Sequence, residues 1–102
     1  MAPIDNGQSF SETATHATAA VATHTAVSGK TYYITGIAVS SDKAGSICLI
    51  KQGTTTIYQL QVGAGQHSRE FQLPLKGALG ALVSVEIDGT SACKANLSGY
   101  EL

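Results

Sequence analysis

The chain has 102 residues, enough for one domain and too few for two. Charged residues make up 13% and the net charge is −1. That is about half the charge a soluble domain carries, and the six basic residues are dispersed, which argues against nucleic acid as a partner. No apolar run is long enough to span a bilayer and no basic amphipathic stretch suits a membrane surface.

Residues 1–17 show no clean period and include Pro3 and Gly7. The expectation is an extended N-terminal arm with two isolated apolar anchors, Ile4 and Phe10, followed by a single β domain over 18–102. The N-terminus has neither a charged leader nor an apolar core, so no signal peptide is expected and folding is expected in a cytoplasm. The Thr-rich run 12–27 favours a strand over about 17–23, because Thr is a poor helix former.

From residue 31 the β pattern strengthens. Residues 31–40 are rich in aromatic and β-branched types. Ile34 and Ile37 differ in parity around Gly36, which predicts a bulge there. Residues 46–51 are apolar in succession, as in a strand covered on both faces, and a turn follows at Gln52-Gly53-Thr54. Residues 55–62 place Tyr58, Leu60 and Val62 on one face and Gln59 and Gln61 on the other.

After a Gly63-Ala64-Gly65 loop, residues 69–75 alternate Phe71, Leu73 and Leu75 against Glu70, Gln72 and Pro74. Pro74 cannot donate to a ladder, so this strand is expected to end there or to lie at an edge. Lys76 to Gly80 reads as a loop. Two more alternating strands follow, with Val83, Val85 and Ile87, then Cys93, Ala95 and Leu97, facing inward. The expected fold is all-β: an antiparallel sandwich or small barrel of about seven to eight short strands.

The chemistry-bearing residues form no catalytic motif. His16, His24 and His67 read as exposed polar side chains, with His16 and His24 too far apart to share a metal within one chain. Cys48 and Cys93 have no zinc spacing and read as small buried apolar residues. The acidic residues are scattered, and the Lys76-Gly77 to Gly80 segment lacks the spacing of a phosphate loop. The expectation is a protein without catalytic residues, metal or cofactor. A large apolar side chain is scarce, with two Phe and no Trp, so the core is thin and self-association would help it.

The succession GKTYYITGIAVS, a lysine-glycine turn entering TTTIYQLQV, then PLKGALGALVSVEI and a closing NLSGY resembles small bacteriophage structural proteins of the capsid-decoration and head-fibre kind. The most telling piece is Pro74-Leu75-Lys76-Gly77, then Gly80, then Val83-Ser84-Val85-Glu86. The resemblance covers about residues 18–100 and is poor over the first 17.

It implies a jelly-roll-like sandwich that trimerises, binds the major capsid protein, and sits on the virion surface after assembly in a bacterial cytoplasm. It carries over no active-site residue. The contacts then expected are the arm anchors Ile4 and Phe10, the Gln-rich face at Gln59 and Gln61, and the adjacent Tyr32 and Tyr33, of which at least one should face outward. The competing expectation is a tail- or fibre-associated receptor or carbohydrate-binding module, using exposed rings among Tyr32, Tyr33, Tyr58 and Tyr100.

Overall fold

A computed structural model describes residues 8–25 and 28–102. Within them lie eight strands: β1 (Gln8–His16), β2 (Ala19–Thr25), β3 (Thr31–Ser41), β4 (Ile47–Gln52), β5 (Thr55–Gln61), β6 (Gly65–Leu79), β7 (Leu82–Asp88) and β8 (Cys93–Glu101). They form two four-stranded antiparallel sheets packed face to face. The front sheet has the order β1-β8-β3-β6 and the back sheet β2-β7-β4-β5. The pairings nest: β4 with β5, β3 with β6, β2 with β7 and β1 with β8. The innermost pair turns in two residues between Gln52 and Thr55, and Gly53 supplies the positive φ of 61° that such a turn needs.

The core follows the period-two pattern. Ile34, Cys48, Ile50, Val83, Val85, Ala95 and Leu97 are fully buried, with Ala20, Ala22, Ile37, Val39 and Ile87 nearly so. The parity switch around Gly36 is a bulge: the registers of β3 against both β6 and β8 shift between Ile34 and Gly36. Both isoleucines therefore face inward despite their odd spacing.

Three segments differ from the sequence expectation. Residues 8–16, expected as part of an arm, form β1 and pair with β8 along their whole length, from Gln8–Glu101 to His16–Cys93. Residues 1–7, including the anchor Ile4, lie outside the described residues. Residues 76–79, expected as a loop, continue β6, because Lys76 and Leu79 still pair with Tyr33 and Thr31.

The third difference concerns Leu73. Between the pairs Gly36–Glu70 and Ile34–Leu75, β6 runs through residues 71–74 while β3 offers only Thr35. This wide bulge breaks the alternation. Phe71 and Leu75 still pack against the core, but Leu73 turns outward and is 85% exposed. Pro74 sits within this irregular stretch of an edge strand, where its missing N–H breaks no ladder.

Polar ties join the two sheets through the interior. Tyr32 on β3 is completely buried, and its hydroxyl donates to Gln52 Oε1 of β4 at 3.0 Å. The same oxygen accepts the Ala78 N–H at 2.9 Å. Burial pushes the Tyr32 pKa up. At the other end of the sandwich, Ser41 Oγ donates to the Asp88 carbonyl at 2.6 Å.

Gly77 lies directly over the Tyr32 ring, where an added Cβ would overlap ring carbons. Gly77→Ala must therefore displace the largest core side chain. The expected cost is roughly 1–3 kcal/mol, a fall in Tm of about 4–8 °C per kcal/mol, read by thermal unfolding followed by circular dichroism. An unchanged midpoint would show that Tyr32 does not hold this position.

Candidate interaction surface

One polar cluster between the sheets begins with alternation on β2. Ala20, Ala22 and His24 point inward. On β1 the inward side carries Phe10, Glu12 and Ala14, of which Phe10 and Ala14 pack on the core. The inward parity of β8 runs from Cys93 through Leu97 to Glu101, whose side chain is 5% exposed.

These three strands bring Glu12, His24 and Glu101 together. His24 Nδ1 lies 3.1 Å from Glu12 Oε2 and Nε2 lies 3.2 Å from Glu101 Oε2. The imidazole stacks on Phe10, with centroids 3.7 Å apart and planes 4° from parallel. A neutral imidazole carries one N–H, so both contacts are donated together only by the protonated ring. With one ring face on Phe10 and both nitrogens on carboxylates, the cluster fastens β1 and β8 of the front sheet to β2 of the back sheet.

His24 was expected to be exposed, yet its side chain is only 12% exposed. Its inward parity with Ala20 and Ala22 was the available signal. The two carboxylates come from residues 12 and 101, and no sequence spacing announces them.

The other histidines have different roles. His16 ends β1, and its Nδ1 accepts the Thr18 and Ala19 N–H groups at 3.1 and 3.2 Å, shaping the turn into β2. His67 lies on β6 across from Val39, and its Nε2 is buried without a hydrogen-bond partner. Among the described residues, no group of three or more His, Cys, Asp and Glu side chains is arranged to hold a metal ion. Cys48 and Cys93 are free and buried. Burial, with the nearby Glu86 charge, pushes the Cys48 thiol up to about 11.

The remaining expected contact residues separate. Tyr32 is core and offers nothing to a partner. Phe10 is occupied by His24. Gln59 and Gln61 are exposed on the outer face of β5. Tyr33 stands on the outer face of the front sheet, stacked on Tyr100 with centroids 5.0 Å apart, and Lys76 Nζ lies 5.9 Å from the Tyr33 ring centroid. Further along the same sheet, away from this pair, Thr13, Ser40, Gln66, Ser68, Lys94 and Asn96 line a shallow groove of ≈ 520 Å³.

Exposed apolar side chains not singled out from sequence lie elsewhere. Leu73 and Leu79 project from β6, Ile57 from β5, and Val21, Ile47 and Leu82 from the back sheet. No known protein-family model matches the chain, and no curated protein matches its sequence.

The loops at one end of the sandwich are held by two aspartates. Asp42 accepts the Thr90 and Ser91 N–H groups and the Ser91 hydroxyl. These bonds hold its carboxyl well below the usual carboxylate range. Asp88 meets Lys43 Nζ at 2.6 Å and accepts the Ile47 N–H at 3.3 Å, and its pKa is lowered as well.

Two predictions follow from these contacts. His24→Leu removes the imidazole that links Glu12 and Glu101 and should cost roughly 1.5–3 kcal/mol in urea unfolding, the range for hydrogen bonds to charged groups. Asp42 has a depressed pKa in the folded state, so its contribution is complete above the ordinary carboxylate pKa of about 3.9. It is lost as pH falls through the depressed value. Unfolding midpoints of wild type and Asp42→Asn should therefore differ at neutral pH and converge in acid; a gap that persists in acid would remove the carboxylate from the explanation.

Proposed function

We propose that this chain is a non-enzymatic structural protein of a bacteriophage virion: a capsid decoration, or cement, protein that binds the shell of major capsid protein as a homotrimer and stabilises it. The carrying observation is the surface. Large apolar side chains project from both edge strands β5 and β6, up to 85% exposed at Leu73, on a chain that is only 13% charged. Such a surface suits permanent burial against protein neighbours better than life as a free monomer.

The nested strand pairing supports the jelly-roll reading. Four antiparallel pairs, each enclosed by the next, roll up into two sheets of the kind the resemblance implies. A non-catalytic role is supported by the His24 cluster, in which both imidazole nitrogens are engaged in joining strands. The shell contacts are assigned to the N-terminal segment with Ile4, and the outer face bearing Gln59 and Gln61 to contact between subunits. A contact of standard size would bury on the order of 1,600 Å² in total.

A second reading is favoured by the stacked Tyr33–Tyr100 pair on the outer face of the front sheet. A tail- or fibre-associated module could use that face to bind carbohydrate. Glycan binding that disappears with Tyr100→Ala would select it.

The decisive experiment mixes the purified chain with empty capsids of the phage that encodes it, and follows co-sedimentation. Decoration requires the chain to pellet with the shell and to raise its resistance to heat. Deleting residues 2–7, which leaves β1 whole, should weaken capsid binding. A chain that stays in the supernatant overturns the reading.

A further inference from the structure

The two sides of the sandwich are finished differently. On one side β1 lies against β2, and the gap between the sheets is closed by Phe10, Glu12, His24 and Glu101. On the other side β6 and β5 are the edge strands, and Tyr58 touches Phe71 edge-on with centroids 5.2 Å apart. There the inward-facing Tyr58, Leu60, Val62, Phe71 and Leu75 are packed against the core but only partly buried. Ile57 and Leu73 flank this seam at 40% and 85% exposure. The core is open along this side.

The edges differ in chemistry as well. Edge strands invite pairing with other chains, and charges, proline and bulges are the usual protection. β6 has all three: Arg69, Glu70 and Lys76, Pro74, and the wide bulge at 71–74. β5 has no charge and no proline, and residues 52–66 contain no Asp, Glu, Lys or Arg.

We infer that this open side is where copies of the chain associate, with β5 beside the symmetry axis. Next to an axis each residue meets its own copies, so a charge there would face itself. A stretch of fifteen residues, 52–66, without a charge is suited to that position. The competing surfaces fit less well. The back-sheet face that exposes Val21 and Leu82 carries the Lys51–Glu86 pair at 2.7 Å in its middle, and interface centres are depleted of charge. The β1–β2 side is already closed. The inference rests on the proposed self-assembly and adds which side performs it.

The test uses substitutions that leave the core alone. Gln59→Lys places a charge beside the axis, and Leu73→Asp places one at the mouth of the seam; both positions are exposed. Val21→Lys on the back-sheet face is the control. Light scattering gives the mass of each at equal concentration, and circular dichroism checks the fold. The expected result is a wild-type mass that is a multiple of 10.5 kDa, both test variants folded at a single chain mass, and the control unchanged. An oligomeric wild type whose folded variants keep its mass, or whose control alone dissociates, overturns the assignment of this side and leaves self-assembly standing. A wild type of single-chain mass at its highest soluble concentration overturns both.

Discussion

The tie between His24 and the carboxylates of Glu12 and Glu101 determines how this sandwich closes. Strand β1 has little apolar surface of its own, since its inward side carries Phe10, Glu12 and Ala14. Hydrophobic burial alone gives such a strand weak register. A slip of one residue against β8 would turn Phe10 and Glu12 to the outer face and leave His24 and Glu101 without them. Charges removed from water cost several kcal/mol each, and their attraction repays this only in good geometry. The cluster is therefore better understood as fixing which residues pair than as a large net source of stability.

The same economy explains how far the sequence could be read. Strands β7 and β8 were legible because one face is buried along the whole strand, so Val83, Val85, Ile87, Cys93, Ala95 and Leu97 keep strict parity. The Gly36 bulge was legible because it breaks the parity between two isoleucines with a glycine between them. Strand β1 was not, because a strand held by a polar cluster lacks the alternation by which strands are recognised. The outward turn of Leu73 was not, because the four-against-one bulge is set by pairing with β3, and residues 71–75 alternate perfectly in sequence. At the site, Gln59 and Gln61 were placed correctly on the solvent face. Tyr32 and Tyr33 were separable only as a pair, since neighbours on a strand face opposite ways and nothing local says which is inside.

The interior polar ties share one arrangement. Tyr32 to Gln52, Ser41 to the Asp88 carbonyl, and His24 to its carboxylates each cross from one sheet to the other. Sheets joined only by apolar contact can slide, because such contact is non-directional. Directed bonds at both ends and along one side fix how the sheets lie over each other. On the β5–β6 side the Ala78 N–H bond to Gln52 lies at the end of β6, and the apolar seam beyond it is only partly buried.

That asymmetry bears on stability as well as on assembly. The buried set is dominated by Val, Ile, Ala and Cys, with Tyr32 its one aromatic member among the described residues. Tyr58, Leu60, Phe71 and Leu75 have the bulk the core lacks, yet each remains partly in water. Covering them removes apolar area from solvent at about 25 cal/mol per Å². Folding and association then draw on the same side chains, and a partner that binds only the folded chain stabilises it by mass action. Under the proposed self-assembly, a domain built this way is least stable alone and most stable in its assembly.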